Sequence, residues 1–406
     1  MQRKMITVLV LLLLLTVAWI SHNTDYLTPP WGWQTLPSSA PPTEQTFVPE
    51  YRGFAAAAMA QLLLERERIG TPSLSAAVAR DGAIIWAGTA GWASLQPPVP
   101  ASTSTVYRIG STSKALTATA MARLVQSDRL QLDTAISRYV EDLPNQDWRT
   151  LTARQLASHT AGVPGYEENR DWWGVYQSIR LGRHFTGTDD MLTVFDDSDL
   201  LFTPGTDFHY SSFDTTLNAH VMTRITGLDY PALMQSLVFD PLQMTQTSVD
   251  DVSLRPATMA VFYRRGDDGR VRPWRQVDLS LKWPGGGLLS TSSDLARLGS
   301  AWLDKDFIDA SVRAQFWQPQ RLATGEINAQ SYALGWRVNP SSLVEYQGRP
   351  LLHAHHGGVS KGAMSWLVVY PELRLAVAIN SNSKAETFQA FAAAEVALTK
   401  LLLEFL

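Results

Sequence analysis

The placement of period-two segments constrains this chain most. They stand near its two ends and leave a long middle without them. Residues 73–79 and 83–92 read as strands joined at Asp81-Gly82, a strong hairpin signal. The pattern returns only at 333–339, 351–355, 364–370 and 375–380. Helices and loops fill the interval, including a clear helix over 294–303 led by Ser292 and Ser293. Ala/Leu-rich helices bracket the whole, one over 54–68 closed by Gly70 and Pro72, the other over 386–403. This order predicts a two-lobed α+β fold. One antiparallel sheet is built from both chain ends and flanked by the terminal helices, with an all-helical lobe inserted. The α/β lobe is assigned to 51–110 and 305–406, the helical lobe to 111–304.

The first fifty residues read differently. Arg3 and Lys4 precede a sixteen-residue apolar run, Met5 to Ile20, with five consecutive leucines, and no Lys or Arg follows until Arg52. That asymmetry predicts a cytoplasmic N-terminus with the rest exported, hence a periplasmic or other extracytoplasmic location. Residues 1–28 are either a cleaved signal, with Thr16-Val17-Ala18 as a weak cleavage site, or an anchor retained in the inner membrane. Residues 29–50, with six prolines, read as an extended linker.

Net charge is −4 with 18% charged residues, and no basic run stands out, which argues against nucleic-acid binding. Cysteine is absent, so disulfides, thiolate catalysis and Cys-based zinc sites are excluded.

The chemistry is placed at Arg108-Ile109-Gly110-Ser111-Thr112-Ser113-Lys114. A turn-prone segment ends at Gly110, and Leu116, Ala120, Met121, Leu124 and Val125 then recur at helical spacing. Ser111 thus falls at a helix N-terminus, where free N–H groups and the helix dipole favour developing negative charge. Lys114 lies one turn on, at i+3, on the same face. A neutral amine there could take the proton a serine loses on attacking a carbonyl. The same four residues also fit a plain helix cap beside a solvated lysine.

Two further stretches look like site. Tyr210 follows the Pro204-Gly205 turn and precedes a helix over 214–226, and a phenol there could shuttle a proton if a cation lowered its pKa. His353-Ala354-His355-His356-Gly357-Gly358 pairs histidine with glycines that permit close backbone approach. Three histidines in four residues also suggest zinc, but no Asp or Cys completes a ligand set, so no metal is assigned.

Ser111-x-x-Lys114, Tyr210-Ser211-Ser212 and His356-Gly357-Gly358, in that order, resemble the three motifs of the penicillin-recognising serine hydrolases. The likeness is to the class C β-lactamase branch with its esterases and peptidases. Leu156-Ala157-Ser158-His159-Thr160-Ala161-Gly162 and Phe202-Thr203-Pro204-Gly205 are similar to that branch's connecting segments. Lys282 through Thr291 (KWPGGGLLST) resembles the mitochondrial serine β-lactamase-like proteins and their bacterial relatives. The resemblance spans roughly residues 50–400.

It implies the following. Ser111 is the nucleophile of an acyl-enzyme. Lys114 with Tyr210 moves the proton. The backbone N–H groups of Ser111 and Val359 hold the oxyanion, each such donor being worth about 3–4 kcal/mol. His356 supports the tyrosine or a substrate carboxylate. Ser212, Gly357 and Gly358 contact substrate, and no cofactor is needed. Two positions depart from the branch pattern. Ser212 stands where Tyr-x-Asn has its asparagine, and His356 where K-T-G has lysine. Registering the third motif on His355 needs an insertion, so His356 is preferred.

The resulting expectation is an exported serine hydrolase acting on an ester or peptide-like amide, with a small molecule or peptide as partner. The alternatives are a genuine β-lactamase or D,D-peptidase, and a catalytically silent membrane-tethered assembly protein.

Overall fold

A computed structural model describes residues 2–23 and 31–406. The strands used below are β1 (Thr43–Phe47), β2 (Ser73–Arg80), β3 (Ala83–Leu95), β4 (Arg337–Tyr346), β5 (Arg349–Ser360), β6 (Ala363–Tyr370) and β7 (Leu375–Ser381). The helices are α1 (Arg52–Ile69), α2 (Ser113–Gln126), α3 (Ser212–Thr226), α4 (Ser292–Ala301) and α5 (Phe388–Leu403). Among the described residues the main sheet has eight strands, ordered β1-β3-β2-β7-β6-β5-β4, with Pro98–Pro100 added to β3. All these pairings are antiparallel, so the two chain ends interleave: β7 pairs β2 in register from Leu375↔Arg80 to Ser381↔Leu74.

Both faces of the sheet are covered, and the alternation of side chains explains how. Val78, Leu375, Val377 and Ile379 point to one face, where they form a core with Phe54, Ala58 and Leu62 of α1 and Phe391 and Leu398 of α5. Ala77, Ala79, Ala376 and Ala378 point to the other and join the large core of the helical region. Alanines there let α4 approach closely: a Cβ on Gly299 would lie 2.9 Å from that of Ala376. Although α4 falls inside 111–304 in sequence, it packs on β2 and β7.

Two expectations differ from the structure. Residues 29–50 are not a free linker where they are described. Gln34 exchanges backbone hydrogen bonds with Val271, and β1 pairs β3 from Thr43↔Ala90 to Phe47↔Trp86. The strand is polar because it is an edge, so no apolar alternation marks it. Gln45 Oε1 accepts from Trp86 Nε1 at 2.8 Å and Glu44 Oε1 from Thr103 N at 2.8 Å. The first two of the six prolines lie outside the described residues. The second difference concerns 333–339. Gly335, at φ +75°, bends the chain before β4, which begins only at Arg337.

The apolar N-terminal run lies in a helix, Gln2–Asn23, with Leu11, Leu12 and Trp19 exposed. Among the described residues no helix is long and apolar enough to cross a membrane.

Candidate active site

Ser111 sits in a 3-10 turn, Gly110–Thr112, that leads directly into α2. Gly110 adopts φ +51°, and a Cβ there would lie 2.6 Å from the Val359 carbonyl oxygen. Gly358 is tighter still: its Cβ would fall 1.8 Å from Ile109 O. Only glycines let the end of β5 and the serine turn touch backbone to backbone. The contact is fixed from behind by a buried ion pair, Arg108 Nε to Asp250 Oδ2 at 2.7 Å, with Arg108 also donating to Lys361 O at 3.1 Å.

α2 is buried on nearly every side, and Lys114 with it, at 1% exposure. Its Nζ donates to Gly285 O (2.7 Å), Ser212 Oγ (3.0 Å) and Ser111 Oγ (3.4 Å). It also stands 4.8 Å from the Tyr210 ring centre. Ser211 caps α3, its hydroxyl accepting from Phe213 N and donating to Pro164 O at 2.7 Å, which fixes Tyr210 and Ser212 on either side of it. Tyr210, Ser212 and Lys114 are thereby gathered at Ser111.

Burial alone would raise the Tyr210 phenol. The charges of Lys114 and Arg337 and hydrogen bonds with Ser111 and Lys114 outweigh it and hold the phenol below its usual value. Arg337 lies 5.3 Å from the Tyr210 ring and 5.0 Å from that of Tyr332. Tyr332 goes the other way, raised well above the ordinary value by burial and then by Tyr210. One phenol is therefore poised to ionise while its neighbour stays protonated.

The third motif needs correction. His356 is fully buried, and burial, Arg337 and Lys114 push its pKa far down, so the ring is neutral. Nδ1 donates to Gly357 O at 2.9 Å, which leaves Nε2 to accept from the Tyr332 hydroxyl at 2.8 Å. Both nitrogens are occupied, and the ring cannot hold a substrate carboxylate. Its place is behind Tyr332, as a support. Gly357 is not among the residues lining the cleft, and a Cβ there would point to Phe388 of α5 at 2.3 Å. Gly358 faces Ile109 rather than the cleft. The residues of this strand that do line the cleft are Val359 and Ser360, followed by Lys361. His353 and His355 share a face, as alternation requires, and stack on each other at 4.4 Å away from Ser111. Among the described residues no three His, Cys, Asp or Glu side chains form a metal-binding group.

Several site residues went unassigned from sequence. His159 belongs to the segment Leu156–Gly162, in which nothing local marks it for a role. Its Nδ1 is 2.8 Å from Asp214 Oδ2, both groups are buried, and its ring packs at 4.5 Å on Tyr210 and 4.6 Å on Tyr332. Burial lowers His159 and raises Asp214, so the two share one proton in a neutral pair. Arg337 and Tyr332 carried no signal at all, since neither belongs to a motif. The open side of Ser111 is a cleft of about 230 Å³ lined also by Tyr166, Ser212, Lys282, Gly286 and Lys384.

This constellation offers a serine hydroxyl, a cation in contact with it and an ionisable phenol, which together suit acyl transfer. Comparison with known proteins agrees. The Beta-lactamase family model matches residues 56–401. The human mitochondrial serine beta-lactamase-like protein LACTB is 26% identical over 422 residues, covering 84% of this chain and 75% of its own. Protein flp of Staphylococcus aureus (strain COL) is 24% identical over 320 residues, covering 78% of this chain and 60% of its own. The fold matches the D-amino acid amidase of Ochrobactrum anthropi SV3 complexed with L-phenylalanine amide, with TM-score 0.70, 21% identity and coverage of 87% and 99%. It also matches a D-stereospecific amidohydrolase from Streptomyces sp. with TM-score 0.68, 24% identity and coverage of 84% and 98%. The chain belongs to the β-lactamase family and is a serine hydrolase of that kind.

Proposed function

We propose that this serine hydrolase is exported and cleaves an ester or peptide-like amide through an acyl-enzyme on Ser111. The observation that carries the reading is the Lys114 head, held among Ser111 Oγ, Ser212 Oγ and Gly285 O beside a phenol whose pKa is lowered. Ionised Tyr210, stabilised by Lys114 and Arg337, takes the Ser111 proton as Oγ bonds to the carbonyl carbon. The carbonyl electron pair moves to oxygen, where the N–H groups of Ser111 and Val359 receive it. Tyr210 then returns the proton to the leaving oxygen or nitrogen as that bond breaks. Water, giving its proton to Tyr210, attacks the acyl carbon, and Tyr210 passes that proton to Ser111 Oγ as the Oγ–carbon bond breaks, which restores the hydroxyl and the phenolate.

Ser212 accepts from Lys114 and so keeps one function of the asparagine it replaces, but it presents no amide to a substrate carbonyl. With His356 unable to hold a carboxylate, β-lactams lose two grips. Esters or amides are therefore preferred, in line with the amidases that share the fold. Export rests on Arg3 and Lys4 ahead of the apolar run. Purified protein should turn over a short-chain ester or a D-amino-acid amide faster than a chromogenic cephalosporin. A cephalosporin hydrolysed faster than the best ester or amide would overturn this preference.

A further inference from the structure

We propose that His159 is the positioning residue of Tyr210, and that one water bound between His159 and Asn218 holds it in place, a proposal that rests on the acyl-transfer reading above. His159 brackets the phenol. Its carbonyl oxygen accepts from His209 N at 2.9 Å and its Nδ1 from Ser211 N at 3.4 Å, so the residues on either side of Tyr210 are both bonded to it. Its ring meets the Tyr210 ring at 4.5 Å. To make these contacts His159 adopts φ +61°, the left-handed region that a side chain disfavours. Such strain persists only where the surroundings over-determine the conformation.

Protein fixes one edge of the ring. Nδ1 faces Asp214, and wherever the proton of that neutral pair lies, Nε2 carries a hydrogen. This donor is buried and has no partner among the described residues. The same holds for the acceptor Oδ1 of Asn218, one turn beyond Asp214 on α3. Asn218 is itself pinned, its Nδ2 donating to Ala153 O at 3.2 Å. His159 and Asn218 line one cavity of about 20 Å³, together with Lys114, Met222 and Tyr332. On the order of 10–15 Å³ suffices for one water. A buried donor and a buried acceptor beside one small space call for a molecule that accepts from the first and donates to the second. A cation could not accept from Nε2–H, and anything much larger than water would not fit. The result is a chain from Asn218 through water and His159 to Tyr210. Neither Asn218 nor His159 lines the Ser111 cleft, so both act on the reaction through the phenol.

A high-resolution crystal structure of the unmodified protein should show one water at roughly 2.7–3.2 Å from both His159 Nε2 and Asn218 Oδ1. No water there, or a ring turned so that Nε2 bonds a protein atom, would overturn the proposal. Asn218→Leu removes the acceptor and fills the space. It should lower kcat for a short-chain ester by about tenfold and leave KM within about twofold, because no substrate contact is touched. Met222→Leu changes the same cavity wall without a polar atom and should keep kcat within about twofold. Asn218→Ser keeps an acceptor and room for water and should recover most of the loss. An unchanged kcat in Asn218→Leu, an equal loss in Met222→Leu, or a serine variant no better than the leucine variant would each overturn the positioning role. Should Asn218→Leu fail to fold, the serine variant against the parent and the crystal structure carry the same decision. Fluorophosphonate treatment separates the two levels. Ser111 unlabelled in a protein that holds the water places the failure with acyl transfer, whereas Ser111 labelled in a protein without it sinks this proposal alone.

Discussion

Two clusters of buried titratable groups lie on opposite sides of β5, and one of them adjoins the Ser111 cleft. On the α5 side His353 and His355 stack beside Tyr370 and Trp366, and Glu395 accepts from the Tyr370 hydroxyl at 3.1 Å and from Thr399 at 2.6 Å. Burial drives every group there towards its neutral form: His353 falls to about 4 and the Glu395 carboxyl rises to about 7. On the Ser111 side burial acts equally on Tyr210, but Lys114 and Arg337 oppose it and win. Burial by itself therefore does not mark a site. Fixed charge that works against burial, beside an opening, does.

Removing the nucleophile or its cation should separate the clusters most sharply. Ser111→Ala and Lys114→Met should each lower ester kcat/KM by about 10³-fold or more. Tyr210→Phe comes next, with a loss of about 10²- to 10⁴-fold as the proton acceptor disappears.

Arg337→Gln acts through Tyr210 and should change the pH profile more than the maximum rate. The reactive phenolate forms as pH rises, so activity climbs through the lowered pKa of Tyr210. Taking away a cation that favours the phenolate moves that rising limb to higher pH by about one unit. A limb that stays where it was would contradict the part given to Arg337.

The smallest effect on catalysis belongs to the other cluster. Glu395→Gln should leave ester hydrolysis within about twofold while altering stability. The folded carboxyl titrates at about 7 against an ordinary 4.5, so the folded state holds the proton more tightly. That contribution is complete below pH 4.5 and is lost as pH rises through 7. It is worth about 3 kcal/mol across the interval. Denaturant unfolding at pH 5 and pH 8 should differ less in the glutamine variant than in the parent.

Legibility from sequence followed the range of the interactions. Ser111 and Lys114 could be read because one helical turn joins them. The sheet could be read because alternation is local and its hairpin turns at Asp81-Gly82. β1 escaped because an edge strand with Glu44, Gln45 and Thr46 carries no apolar period. In the third motif the local pattern misled: His356 looked like a reacting group, but strand alternation turns it onto Tyr332. The cleft wall falls instead to Val359, Ser360 and Lys361. Arg337, Tyr332 and the His159–Asp214 pair meet Tyr210 only through tertiary packing, which no spacing in the chain announces.

The central claim is that Ser111, activated by Lys114 and Tyr210, carries the acyl group. Its most direct test is mass spectrometry of the protein treated with a fluorophosphonate. A single adduct should appear on the Ser111 peptide and vanish in Ser111→Ala. An adduct that persists in that variant, or that forms on another serine, would contradict the account.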